Sequence, residues 1–369
     1  MDFTLNEEQK LLKESVDRFV REAYTFDGRQ ELVASELGFS RDNWKQFAEL
    51  GWLGLGFAEE HGGLGGSALD SAVLMEAFGR ALLVEPYFTT VVLGGKILEA
   101  TGREALIPSI AEGELLIALA HTEPESGFDL TAVETRAEPS GSGFRLQGRK
   151  SFVLHAATAD KLIVSARTGD EGVSLFLVDR ESEGVYLRAY ATVDGLRAAD
   201  IALEDVHVEE DALLGKRGGA LAALEPVIDR AITLLAAEAV GAMGALNEAT
   251  FDYLKTRRQF GVPIGNFQAL QHRAVDMFVD YELSRALAYR AAAAIEKLEG
   301  PERARAASAA KVQIGRAGKR IGKEAIQLHG AMGMTNALAI GHYFKRLSMI
   351  DVLFGNVDHH LERLATLAL

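Results

Sequence analysis

The chain has 369 residues, with 39 Lys+Arg against 53 Asp+Glu and a formal net charge of −14; that balance excludes generic nucleic-acid or anionic-membrane binding, which draws its affinity from lysine and arginine on phosphates. At 48% hydrophobic and 25% charged residues, the composition is that of a globular protein, and by size scaling such a chain buries about three quarters of its extended surface. The absence of cysteine removes disulfides, thiolate nucleophiles, iron–sulfur ligation and cysteine-based zinc sites together.

The amino terminus, MDFTLNEEQK, has neither a basic region nor an apolar core, so no signal peptide is expected and the cytoplasm is the expected location. Thr4 and Glu7 stand at capping-box spacing, and Leu12, Val16, Phe19, Val20 and Ala23 follow at helical intervals, which predicts an amphipathic helix over residues 4–23. A second helix is predicted from Ser40, with Trp44, Phe47 and Ala48 on one face and Gly51 as its stop. The HGGLGG run at residues 61–66 fits no phosphate-binding pattern and reads as a structural turn. Helices are expected over residues 67–83, 89–99 and 107–112.

Beyond Leu115 the period becomes alternating and turn residues frequent, predicting strands over residues 116–121, 134–137, 144–147, 162–166, 175–179, 186–190 and 200–208. From Gly219 long helical patterns return. One carries Val275, Phe278, Val279, Leu283, Ala286 and Leu287; another runs from about Glu302 to His329. Glu238 interrupts the apolar stretch 231–246, so no segment approaches the roughly 18 apolar residues of a membrane span. The plan is helical, then β, then helical, in three domains over residues 1–114, 115–213 and 214–369.

The nine histidines are scattered with no H-E-x-x-H arrangement, and the adjacent His359 and His360 read as a solvated surface pair, so no metal site is expected. G-x-S-x-G and G-x-G-x-x-G are both absent, removing the sequence support for a serine hydrolase or a Rossmann NAD site. Two segments are unusual for an acidic chain. YLKTRRQFGVPIGNFQ (residues 253–268) carries Lys255, Arg257 and Arg258; QLHGAMGMT (residues 327–335) follows a helix with Lys311, Arg316, Lys319, Arg320 and Lys323. Such basic clusters suit a phosphorylated ligand, or are simply solvated helix faces.

On these segments, together with ELGWLGLGFAEEHGGLGG and TEPESGFDL, the sequence resembles the acyl-CoA dehydrogenase family from end to end. The resemblance implies a mainly α fold: an N-terminal helical domain, a middle β-barrel or sandwich, and a C-terminal four-helix bundle. It also implies FAD, an acyl-CoA substrate and an electron-transfer flavoprotein as acceptor. In such enzymes a carboxylate takes the α proton while flavin N5 receives the β hydride, and oriented donors stabilise charge on the thioester oxygen.

The flavin site of this family spans two subunits. Arg257, Gln259, Phe260, Gln327, Gly330 and Gly333 match positions that reach the adenine and pyrophosphate end of a neighbour's FAD, and Gln268 is counted with them. The motifs for the chain's own flavin ring are less complete. Thr122 and the following Glu-Pro match, but Phe128 stands where a phosphate-facing serine is common. Phe152 can pack on a ring, yet Leu154 replaces the hydroxyl beside N5. The position of the usual glutamate base holds Gly355. Asp229, before Arg230, is a candidate base, although the family position counts two or three residues later.

Two readings follow. The chain is a self-sufficient, homo-oligomeric dehydrogenase using Asp229; or it is the non-catalytic small subunit of a heteromeric, heterotetrameric enzyme of fatty-acid or steroid catabolism, completing the FAD site of a larger partner. The second is preferred, because it explains why the ring-side features fail together while the neighbour-facing ones persist. A flavin oxidase or monooxygenase on the same scaffold is a third possibility.

Overall fold

The computed structural model describes residues 5–368. Its first helix, α1 (Glu7–Ala23), starts at Asn6 and not at the expected Thr4, which lies outside the described residues. Asn6 Oδ1 accepts from the Gln9 amide at 2.8 Å and Gln9 Oε1 accepts from the Asn6 amide at 3.1 Å, so the reciprocal cap forms two residues later than the Thr/Glu spacing suggests. A helix without an amphipathic signature follows, α2 (Phe26–Ala34). It is tied down by tertiary contact, its buried Arg29 donating from Nε to the Leu82 carbonyl at 2.7 Å. Next come α3 (Arg41–Glu49), capped by Ser40 as expected, and α4 (Ala68–Ala81), capped by Ser67. The expected helix over residues 89–99 instead opens as a π-helix, Phe88–Gly95, before α5 (Lys96–Ala100) and α6 (Ile107–Ala111). Neighbours decide this: Thr90 Oγ1 bonds both the amide and the carbonyl of Ile117, and the backbone at Gly94 and Gly95 lies against Ile117 and Phe57.

The strands are β1 (Ile117–Ala120), β2 (Arg136–Ser140), β3 (Gly143–Leu154), β4 (Lys161–Arg167), β5 (Val173–Asp179), β6 (Val185–Ala191), β7 (Arg197–Glu209) and β8 (Leu213–Leu214). They form one sheet in the order β6-β7-β3-β2-β4-β5-β8, with β1 added alongside β4. β3 runs far past the expected residues 144–147 because β7 pairs with it along most of its length, through register shifts at Leu146/Gly148 and Lys150/Val153. Phe144, Leu146, Val164, Phe176, Ile201 and Leu203 fill the buried side, with the Phe144 and Phe176 rings edge-on at 5.1 Å. The remainder comprises α7 (Ala220–Thr256), the hairpin strands β9 (Arg258–Gln259) and β10 (Val262–Pro263), α8 (Gln268–Ala294), α9 (Gly300–His329), α10 (Ala339–Val352) and α11 (Val357–Thr366). Among the described residues no helix is long and apolar enough to cross a membrane.

The chain divides into two compact units, one of Met1–Glu31, Ser67–Leu83 and Ile232–Leu369, the other of Leu32–Gly66 and Val84–Ala231. The sheet belongs to the second. In the first unit, helical apart from the β9–β10 hairpin, the charge that interrupts the apolar stretch of α7 is paired inside the bundle. Glu238 and Arg346 of α10, both buried, form a two-point ion pair, Nε to Oε1 at 2.6 Å and Nη2 to Oε2 at 2.9 Å. The fork geometry matches two parallel bonds to one carboxylate.

The stripe of Val275, Phe278, Val279 and Leu283 on α8 is exposed, not buried. Replacing Arg346 with methionine leaves Glu238 buried without its partner and is expected to cost about 3–5 kcal/mol in urea unfolding. The double change Glu238→Gln/Arg346→Met should recover much of that loss, and an unchanged unfolding midpoint in the single variant would show that the pair holds nothing together.

Candidate functional site

Three groups of predicted residues can be followed from their elements. The first is the turn between α10 and α11, where the base position lies. Lys311 stands in the Ala-rich buried stripe of α9 with 0% exposure, so it is no part of a solvated basic face. Its Nζ donates to the carbonyls of Asp351, at 2.8 Å, and Gly355, at 2.5 Å. Burial pushes this amine down to about 7 against the pull of the Asp351 carboxylate. Lys319 reaches the same carboxylate at 2.6 Å, and Arg320 pairs with Asp276 and Asp280, so most of the basic run along α9 is already neutralised within the bundle.

The adjacent histidines are likewise not a solvated pair. Asn356 caps α11 by accepting from the His359 amide at 3.0 Å, and this orientation drives His360 into the bundle with 0% exposure. His360 Nε2 lies 3.0 Å from the Phe354 carbonyl, which can only accept, so Nε2 carries the proton and the Ser308 hydroxyl donates to Nδ1 at 3.1 Å. Burial, then the nearby Lys311, push the imidazole down to about 3. Among the described residues no group of three or more potential ligands could hold a metal.

These contacts close the position of the expected base. Gly355 has φ +108°, a conformation side chains rarely adopt, and a Cβ built on it would overlap His359 Cδ2 and sit 2.8 Å from His360 Nε2. A glutamate cannot simply be exchanged into this turn.

The second group lies largely exposed at the ends of α7 and α9. Beyond α7 the chain reverses through β9 and β10, pairing Gln259 with Val262, with Phe260 (φ +52°) and Gly261 (φ +81°) at the tip. Two central residues at positive φ make the turn that suits a two-residue hairpin, but a phenylalanine there is strained. Its ring is 91% exposed and meets Phe267 edge-on at 6.1 Å. Arg257, Gln259 and Gln268 are exposed as well. At the end of α9, Gln327 and Gly330 are exposed while Gly333 is buried against the Ile326 carbonyl. The two motifs are brought together by Tyr253 and His329, whose rings stack 4.4 Å apart at 26°. Bare backbone, amide and guanidinium donors, and a free aromatic face fit an adenine dinucleotide.

The third group lies in the sheet unit. Glu123 accepts from Lys150 Nζ at 2.6 Å, the Glu134 amide at 2.7 Å and the Thr135 amide at 3.1 Å, while Lys150 also donates to Ser165 at 2.9 Å. Burial raises the Glu123 carboxyl, but Lys150 and the amides outweigh it and hold the group below its usual range. This buried pair pins the Thr122 segment to β3, where the Thr122 carbonyl accepts from the Ser151 amide at 2.9 Å. Phe152 sits in the second register shift at φ +54°, its amide donating to Asp200 at 3.1 Å. Phe128 is exposed on its loop, and Leu154 offers no hydrogen bond from its side chain. Asp229, on α7, has 0% exposure.

The sequence motifs did not point to the contacts of His360, Tyr253, Glu123 and Lys150, and they placed Lys311 in a basic cluster suited to a phosphorylated ligand, whereas it is buried. One signal was available: Lys311 shares a helical stripe with Ala304, Ala307, Ile314 and Gly318, where a lysine is out of place unless buried with partners.

Residues 6–114, 118–208 and 219–369 match, respectively, the N-terminal, middle and C-terminal domains of acyl-CoA dehydrogenases. Acyl-CoA dehydrogenase FadE12 of Mycobacterium tuberculosis is 30% identical over 92% of this chain and 90% of its own length. A solved variant of the Tcur3481-Tcur3483 steroid ACAD is 30% identical, covers 99% of this chain and 98% of its own, and has a TM-score of 0.90. The ChsE4-ChsE5 complex from Mycobacterium tuberculosis gives 26% identity, the same coverages of 99% and 98%, and a TM-score of 0.90. The chain belongs to the acyl-CoA dehydrogenase family, whose members are FAD-binding oxidoreductases acting on acyl-CoA.

The buried imidazole of the C-terminal turn has a pH signature. A histidine held below its ordinary 6.5 contributes stability above that value and loses it as pH falls toward about 3, because the unfolded chain then binds a proton the folded chain refuses. Urea unfolding from pH 7 to 4 should show a shallower decline for His360→Gln than for wild type. Equal slopes would mean that the imidazole is not held neutral.

Proposed function

We propose that this chain is the non-catalytic subunit of a cytoplasmic, heteromeric, FAD-dependent acyl-CoA dehydrogenase, lending the adenine and pyrophosphate contacts to a flavin whose ring pocket and base belong to a larger homologous partner. The observation that carries this is the closed turn at Gly355, where His359 and His360 occupy the space a base would need. A positioned base contributes about 10²–10⁴-fold, roughly 3–5 kcal/mol of barrier, and its loss is not compensated by any other change in that turn. The 0% exposure of Asp229 argues against that carboxylate as its replacement.

The ring side points the same way. Phe128 and Leu154 remove two hydroxyl donors from the chain's own flavin motifs, so the residues present fit the ring end of FAD poorly. The dinucleotide end fits well, with Arg257, Gln259, Phe260, Gln268, Gln327 and Gly330 exposed and Gly333 supporting their turn. Bound FAD supplies the hydride acceptor for the β hydrogen of the thioester. This chain's residues orient its far end: Arg257 toward phosphate charge, Gln259 and Gln327 as amide donors, Phe260 as an aromatic face. The exposed apolar stripe of α8, together with the exposed Phe260 and Phe267 that precede it in the chain, supports association with another subunit. That two of the similar solved structures are named as a steroid ACAD and a two-component complex supports a heteromer acting on a steroid or fatty acyl-CoA, with an electron-transfer flavoprotein as acceptor. The division into domains 1–114, 115–213 and 214–369 is supported by the three matched segments.

The test compares the chain purified alone with the chain co-expressed with a candidate larger subunit, following flavin absorbance, stoichiometry and turnover with an artificial electron acceptor. Alone, it should hold little FAD and fail to oxidise acyl-CoA. Assembled, the pair should hold FAD and turn over, and Asp229→Asn in this chain should leave the rate within about twofold. One FAD per subunit with turnover by the chain alone would overturn the proposal, and loss of that turnover in Asp229→Asn would establish the homo-oligomeric reading.

A further inference from the structure

We infer that Tyr253 and His329 are a positioning pair that sets the two halves of the dinucleotide surface in register, an inference that rests on the proposed nucleotide-binding role of this surface. Each ring belongs to a different motif. Tyr253 is on the last turn of α7, and its carbonyl accepts from the Arg257 amide at 2.8 Å; the Arg257 carbonyl in turn accepts from the Ile264 amide at 2.8 Å, closing the base of the β9–β10 hairpin. His329 is the last residue of α9, directly before Gly330. Its Nδ1 lies 2.8 Å from the Ala325 carbonyl, which fixes the proton on Nδ1, and the ring is buried. A Cβ on Gly333 would lie 3.1 Å from His329 Cβ, so the glycine turn folds directly over this residue.

The exposed side chains that would meet a nucleotide have few contacts of their own, the edge-on meeting of Phe260 with Phe267 among them. Phe260 projects from a strained tip, Gln327 and Gly330 from a helix end, and Arg257 forms no ion pair among the described residues. Two contacts relate one set to the other: the ion pair of Arg273 on α8 with Glu324 on α9, and the 4.4 Å ring contact between α7 and α9, which lies directly between the hairpin base and Gly330. A neutral imidazole on a phenol ring has no charge requirement, so burial and stacking suffice to hold it; His329 sits below its ordinary range because burial disfavours the cation. Loss of the stack frees the hairpin to shift against Gly330, and displacements near 1 Å are enough to spoil a multi-point ligand contact.

The experiment uses the full chain, alone and in the assembled enzyme, in four forms: wild type, His329→Ala, His329→Phe and Tyr253→Leu. Two readouts are taken well below each unfolding midpoint: affinity for FAD and for ADP, which probes the adenine and pyrophosphate end alone, and hydrogen exchange of the hairpin amides 258–263 in the flavin-free chain. His329→Ala and Tyr253→Leu should weaken ADP and FAD about tenfold and speed hairpin exchange by a similar factor, whereas His329→Phe, which keeps a stacked ring, should stay within about threefold of wild type on both. If the alanine and leucine variants lower only the melting temperature while nucleotide affinity and hairpin exchange stay at wild-type values, the pair is ordinary packing and the inference is overturned. If wild type itself retains neither ADP nor FAD in the assembly, the functional reading fails instead, and the exchange measurement still decides whether the ring pair orders the hairpin.

Discussion

The amino group of Lys311 is the constraint on which the C-terminal part of the molecule depends. It is buried in α9, and a buried amine must find acceptors; it takes the carbonyls of Asp351 and Gly355, the end of one helix and the turn into the next. With those carbonyls fixed, Asn356 can cap α11, and the cap delivers His360 beneath the turn, where it holds the Phe354 carbonyl. The bonds at the Asp351 carbonyl and the His359 amide satisfy groups that the ends of α10 and α11 would otherwise leave open, and those at Phe354 and Gly355 satisfy carbonyls of the turn between them. Their joint result is a turn in which a side chain at residue 355 would meet His359 and His360, so the glycine there is tied to the packing of the bundle.

Three of the six non-glycine residues at positive φ among the described residues lie in the motifs. Phe152, Phe260 and Phe354 all adopt positive φ, a region unfavourable for a bulky residue. Each is held by a different device: a register shift and the Asp200 carboxylate at Phe152, the hairpin turn at Phe260, and His360 at Phe354. Phe260 is the one whose ring is almost wholly in solvent, and it belongs to the surface proposed to meet a neighbour's nucleotide. The other two are held from within, Phe152 through its amide on Asp200 and Phe354 through its carbonyl on His360.

Much of the fold was legible because periodicity reports burial. The short apolar runs at residues 162–166 and 175–179 and the alternation in residues 200–208 mark strands that pair over those residues, and the Ser40 and Ser67 caps sit where a hydroxyl before an apolar repeat puts them. The misses share a cause. α2 has no apolar stripe and is held by Arg29; the π-helix is decided by Thr90 against Ile117; β3 is lengthened by its pairing with β7. None of these determinants is local, and local pattern is all that periodicity measures.

The site divides along the same line. The sequence by itself determined the motifs, the lack of a carboxylate at residue 355 and the absence of thiol chemistry, because these are matters of which residue occupies which position. Only the tertiary structure decided that Lys311 and His360 are interior groups, that the apolar stripe of α8 lies open, and that residue 355 is sterically closed. Lys311, Asp351, Gly355 and His360 are separated by up to 49 positions in the chain, and their roles arise from convergence in a space too dry to leave an amine or an imidazole unpartnered.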